Sequence, residues 1–482
     1  MRALLSLSGV CRRSATLALA MLLLPVLSRS AHAAALDGTA MKWPFALPFA
    51  GLLLSIAVGP LLFARFWHSH YGKIAAAWSL ATLASMAWFA GGPATVAAFV
   101  HAMLGEYLSF IVLLFALYTV AGGILVTGQI RGTPRNNAVM LAIGTAMASI
   151  VGTTGAAMIL VRPLIRANIS RRHNTHVVIF FIILVANVGG ALSPLGDPPL
   201  FVGFLQGVGF FWTLHNLWIQ TAIVAGLLLA MFVVVDAWRF RGEPVVQHVG
   251  PPDTIRVRGL VNVVLIAAII ASILMSASWR PGVAVDIFGT RLELQNLVRD
   301  GLLVVIALLS LWLTQDEHRE ANGFSWEPIR EVAKLFAGIF TAIVPVLAML
   351  DAGKDGTFAW LLSAVTERDG SPHQVAYFWY TGLMSAFLDN APTYLLFFKL
   401  AGGNAGILMG ELSGTLAAIS MGAVYMGALT YIGNAPNFMV AAIAIERGIK
   451  MPSFFGYLFW AGIILIPMFL LLTVLPVAPV LR

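Results

Sequence analysis

Gly190-Ala191-Leu192-Ser193-Pro194-Leu195-Gly196-Asp197-Pro198-Pro199 interrupts an apolar stretch, and Gly427-Ala428-Leu429-Thr430-Tyr431-Ile432-Gly433-Asn434-Ala435-Pro436 repeats it near the other end of the chain. The differences are mostly conservative. The same register sets Gly152 opposite Asp389 and Thr153 opposite Asn390, so a second pair of motifs precedes each stretch at one constant distance. Chance alignment of two apolar stretches rarely keeps both features in register. Pro198 and Pro199 lack backbone donors and follow Gly196 and an acid, so a helix entering here must unwind and expose carbonyls. The doubled proline argues against two merely kinked helices, although Gly and Pro are common in membrane helices. Exposed carbonyls at membrane depth are tolerated only inside protein or facing a watery cavity, where a cation can use them.

The surrounding chain supplies the membrane. It is 59% apolar and 10% charged, beyond what a single water-soluble core can bury. Apolar runs over 46–67, 213–238, 260–275 and 454–476 each approach the roughly 20 residues that cross a hydrocarbon core. Residues 1–33 carry the three zones of a secretory signal: Arg2, Arg12 and Arg13, an apolar stretch, then Ala31-His32-Ala33. Cleavage there is expected, with an uncleaved first anchor as the alternative. Cleavage removes Cys11, the one cysteine, and with it any disulfide or thiolate metal site. It also removes four arginines from the formal charge of +8. The basic residues that remain read as topology information, not as a nucleic-acid surface.

With the mature N-terminus in the periplasm, the first span delivers Arg65, His68, His70 and Lys73 to the cytoplasm, His68 and His70 in a loop. Residues 74–89 return, 94–104 lie at the surface, and 107–127 cross inward. Residues 138–161 are apolar enough to span, yet Arg131 and Arg135 precede them and Arg162, Arg166, Arg171 and Arg172 follow. Both ends favour the cytoplasm. A re-entrant hairpin turning at Gly152-Thr153-Thr154-Gly155 satisfies this; an ordinary span with a misplaced basic loop is the alternative. A second doubled segment, 375–400, enters from the periplasm by parity. The C-terminus ends outside.

The expected architecture is an all-α polytopic protein of the inner membrane, with about ten spans, two re-entrant hairpins and broken helices in inverted repeats. It divides into a signal (1–33), N-terminal spans (34–106), a first transport repeat (107–238), connecting loops and spans (239–332) and a second, inverted repeat (333–482). Inverted repeats with broken helices are a device of secondary transporters, whose substrate and coupling ion bind near the midplane. No nucleophile, phosphate-loop or histidine metal spacing points to an enzyme or a cofactor.

Asp197 and Asp389 are the acids placed deepest by this topology. An intramembrane carboxylate costs on the order of 3 kcal/mol, which makes each a functional candidate. Each takes a cation when ionised and a proton when neutral; capping a half-helix is the structural alternative, and the two roles can coexist. Neutral oxygens suited to Na⁺ stand around them: Thr153, Thr154 and Ser193 in the first copy, Asn390, Thr393, Thr430 and Asn434 in the second. Taken singly, such groups more often cap or pack helices. Asn187 and Asn437 are second-tier candidates. Half-helix N-termini after Pro199 and Pro436 can attract an anion instead. Arg162, Arg166 and Lys399 can draw a carboxylate or snorkel to headgroups.

Ser385-Ala386-Phe387-Leu388-Asp389-Asn390-Ala391-Pro392-Thr393 and Gly433-Asn434-Ala435-Pro436-Asn437 resemble the ion transporter superfamily over roughly 107–477. That group holds D-type sodium/proton antiporters, citrate and dicarboxylate transporters and arsenite carriers. The resemblance implies that Asp389, Asn390 and Thr393 form the second hairpin tip, faced by Thr430, Gly433 and Asn434. Where dicarboxylate transporters carry a Ser-Asn-Thr tip, this chain has Gly152-Thr153-Thr154-Gly155. The resemblance also implies a homodimer in which a transport domain moves against a scaffold. The reading preferred from sequence is exchange of Na⁺ (or Li⁺) for H⁺ at Asp197 and Asp389. Cation-coupled movement of a citrate-like carboxylate, or oxyanion efflux, is the alternative.

Overall fold

The computed structural model describes residues 36–243 and 254–474; the expected signal with Cys11, and the C-terminal end, lie outside them. The chain is an all-α polytopic membrane protein. Among the described residues eight helices are long and apolar enough to cross a bilayer, joined by shorter apolar helices over Ser413–Leu429 and Ala435–Glu446. Strands occur there only as two antiparallel ribbons, Leu125–Thr127 with Arg256–Arg258 and Ala284–Ile287 with Thr290–Glu293.

Two N-terminal expectations are corrected. The helix Leu47–Leu62 ends just after Pro60, and the next, Ala64–Ala90, starts at once. His68 and His70 therefore ride on a helix and not in a loop. Residues 94–104 do not lie apart at the surface: Gly92–Ala121 runs as one helical span, with a π-helical stretch over His101–Tyr107. Gly91, at φ 82°, ends the preceding helix instead, a conformation that glycine adopts without strain.

The repeats form as expected. Pro134–Val151 and Thr153–Asn168 make the first hairpin, Gln374–Leu388 and Asn390–Leu400 the second. The first broken helix runs over Thr175–Leu184, unwinds, and resumes at Pro198–Leu205; the second runs over Ser413–Met426 and resumes at Ala435–Glu446. Each hairpin's entry arm packs on its own broken helix, and each exit arm reaches the other copy's: Thr153–Asn168 packs on Ala435–Glu446, and Asn390–Leu400 on Pro198–Leu205 as well as on its own Ser413–Met426. The two repeats are interlocked.

Burial separates this core from the rest. The Thr175–Leu192 span is 89% buried within the protein, against 28% for Trp212–Phe240. Unwound backbone has to be enclosed by protein in this way, because lipid offers it no hydrogen bonds. A second group of helices packs among itself: Leu47–Leu62 on Ala64–Ala90, Ala64–Ala90 on Glu327–Ala342, and Leu108–Ala121 with Val261–Ser278 on Leu294–Leu313. A buried pair, Arg299 Nε to Asp300 Oδ1 at 2.8 Å, ties two of these together through Ser109, whose hydroxyl donates to Asp300 Oδ2 at 2.5 Å.

Candidate ion and substrate site

Equivalent residues do equivalent work in the two breaks. The Ser193 hydroxyl donates to Ser149 O, and Thr430 Oγ1 to Ala386 O, at matching positions of the two entry arms. Each hydroxyl then accepts from two backbone N–H groups, of Leu195 and Gly196 in the first copy and of Ile432 and Gly433 in the second. These bonds satisfy backbone that unwinding has orphaned. Closeness explains the glycines: a Cβ at Gly196 would run into Gly190 O, and one at Gly433 into Gly427 O. At the hairpin tips Gly152 has φ 82° and Asp389 φ 73°, so the aligned residues share one left-handed backbone.

Four of the residues singled out from sequence meet at a single carboxylate. Asp197, 1% exposed, accepts on Oδ1 from Asn434 Nδ2 at 2.8 Å and Thr153 Oγ1 at 3.0 Å, and on Oδ2 from Asn390 Nδ2 at 2.6 Å. The donors come from both hairpin tips and from the opposite break. Asp197 is the N-cap residue of Pro198–Leu205, but its side chain makes no cap bond, which leaves both oxygens to the cluster. The first tip is also fixed by its backbone, Thr153 N donating to Gly196 O at 2.7 Å. Asn390 Oδ1 is buried without a partner, an acceptor that ordinarily has one.

The other candidates stand around this centre. Asp389 is half-buried and caps its own exit arm, Oδ1 accepting from Ala391 N at 3.2 Å, while its carbonyl accepts from Thr393 Oγ1 at 2.8 Å. It makes no hydrogen bond to the Asp197 cluster. Ser193 and Thr430 are occupied in holding the breaks. Asn187 and Asn437 staple them together, Asn187 Nδ2 donating to Asn437 Oδ1 at 2.7 Å and Asn437 Nδ2 to Thr430 O at 2.9 Å.

Three residues outside the sequence-based set matter as well. Ser149 donates to Gly189 O at 2.5 Å and Ser385 to Ala423 O at 2.6 Å; a lone hydroxyl one turn before each tip of an apolar arm was the available signal. Asp236 is as deeply buried as Asp197, but Arg171 at 2.5 Å, His176 at 2.8 Å and Asn137 at 2.9 Å hold it. Arg171, expected in a basic loop, neutralises it. A buried acid with a cation in contact is a structural pair; Asp197 has neutral donors only.

Beside Asp197 lies a cavity of about 80 Å³. One wall carries Thr153, Thr154, Gly155, Asp197, Pro198, Ala435 and Pro436; the other is apolar, with Leu113, Leu117, Ile329 and Val332 from the second helix group. The first wall joins the starting turns of three helices, whose dipoles favour negative charge, while their prolines and the bond from Thr153 N to Gly196 O leave few free N–H donors there. No Lys or Arg lines the cavity: Arg162 donates to Gly323 O and Arg166 to Val126 O instead.

Residues 38–477 match the model of a family described as "Putative citrate transport". The chain belongs to this family. An uncharacterised transporter of Mycobacterium bovis is 25% identical over 331 residues, which cover 66% of this chain and 71% of the relative. An uncharacterised transporter of Mycobacterium tuberculosis matches with the same figures. As a member of the citrate-transport family with interlocked broken helices, the protein is a membrane transporter.

Proposed function

We propose that the protein is a secondary active transporter of a citrate-like carboxylate, with Asp197 as the site of the coupling cation or proton. The observation that carries this reading is the single carboxylate held by Thr153, Asn390 and Asn434 beside a cavity walled by three helix starts. A hard cation prefers oxygen ligands. Asp197, Thr153 Oγ1 and the unpartnered Asn390 Oδ1 supply three such oxygens, and the helix N-termini offer an anion its counterpart. Membership of a citrate-transport family supports the cargo. The chain works in the inner membrane, its basic loops in the cytoplasm and its mature termini in the periplasm.

A second reading, Na⁺/H⁺ exchange, is favoured by the absence of any lining Lys or Arg; it makes the carboxylate the whole transport site.

The deciding experiment is uptake of labelled citrate into proteoliposomes under imposed Na⁺ or H⁺ gradients. The expected result is gradient-dependent uptake that disappears in Asp197→Asn. Absence of citrate uptake, together with cation-evoked proton movement in the same vesicles without any carboxylate, overturns the proposal in favour of exchange.

A further inference from the structure

The exit arm of the first hairpin and the end of the second broken helix enclose a cavity of about 240 Å³, apart from the transport site and lined by Arg162, Ile165, Arg166, Ile169 and Arg447. Three guanidinium groups face one space. Two of them spend a single N–H each on backbone carbonyls, Arg162 on Gly323 O and Arg166 on Val126 O at 2.9 Å. Among the described residues none of the three forms an ion pair with a carboxylate, and the Arg447 side chain makes no hydrogen bond. Glu446 acts on Arg162 from the preceding position and offsets part of one charge. Three like charges around a small space repel unless an anion joins them.

The approach of Arg162 is built in. Gly323 stands at φ 57°, and a Cβ there would collide with the guanidinium. The apolar side of the cavity reaches the outer surface of the protein: Ile169, which lines it, is 51% exposed. The cavity lies at the end of the molecule where the ribbon of Leu125–Thr127 and Arg256–Arg258 gathers further basic residues, the face assigned to the cytoplasm by its charge.

We propose that Arg162, Arg166 and Arg447 bind the phosphate of an anionic phospholipid of the inner leaflet, with its acyl chains along Ile169. Guanidinium forks match phosphate oxygens bidentately, and basic pockets between membrane helices on the cytoplasmic side suit such headgroups. The exposed Ile169 favours a lipid over a soluble anion, which gains nothing from it.

The test is native mass spectrometry of the purified full chain titrated with phosphatidylglycerol or phosphatidylcholine, with thermal unfolding measured alongside. The expected result is retention of phosphatidylglycerol over phosphatidylcholine, weakened about fivefold for each arginine removed, in Arg447→Gln and in Arg166→Gln. Since the Arg447 side chain holds nothing else in place, that variant keeps the fold. Equal retention of phosphatidylglycerol by wild type and both variants overturns the proposal. Stabilisation by inorganic phosphate or citrate that matches phosphatidylglycerol also overturns it and assigns the site to a soluble anion.

Discussion

The two breaks share a backbone and differ in where the carboxylate stands. In the first copy the hairpin tip is Gly152 and the unwound stretch holds Asp197; in the second the tip is Asp389 and the stretch holds Asn434. The acid has changed places. In the stretch it meets both tips and accepts three side-chain donors; at the tip it turns back onto its own helix. Symmetric architecture thus leaves one charged centre, because a second carboxylate at position 434 would face Asp197 where Asn434 now donates.

Substitutions can break this asymmetry or sharpen it. The largest effect is expected from Asp197→Asn, which makes the two stretches alike: loss of a charged ligand is worth about 3 kcal/mol, roughly 100-fold in transport, with expression and folding retained. Flux in proteoliposomes checks it. Next come Gly196→Ala and Gly433→Ala, whose added methyls meet Gly190 O and Gly427 O; each should destabilise by about 1–3 kcal/mol, read as a lowered unfolding temperature. Thr430→Val and Ser193→Ala remove equivalent hydroxyls, and each should cost about 1 kcal/mol. Equal losses in the two would bear out the structural equivalence, and unequal ones would refute it. The smallest effect is expected from Asp389→Asn, since asparagine has nearly the same shape as aspartate and caps helices as well. Transport should stay within about threefold of wild type, a change under 1 kcal/mol; complete loss would make Asp389 a binding group and favour exchange.

What could be read in advance depended on distance along the chain. Both hairpins and both breaks were legible because Gly152, Gly196, Pro198 and Pro199 act on their own backbone, and because the second copy repeats the pattern. Asp197, Thr153, Asn390 and Asn434 were legible as polar groups with no place in lipid, although nothing local said that they converge. The Arg171–Asp236 pair was not legible, since its partners meet only when Trp212–Phe240 packs against the first hairpin. Charge bias placed His68 and His70 in a loop because it reads the side a polar residue falls on and not its backbone, which here is helical over Ala64–Ala90. The π-helical stretch over His101–Tyr107 left no trace in hydropathy, which cannot tell it from the α-helix around it.

The exchange of exit arms between repeats has a consequence for biosynthesis. When the ribosome has completed only the first repeat, Asp197 already sits in its unwound segment, but Asn390 and Asn434 have not been made. The nascent half therefore holds Asp197 with Thr153 as its one side-chain donor until nearly the whole chain has been synthesised. Truncation anywhere before the second hairpin leaves a polypeptide whose polar centre lacks the two amide donors that complete it.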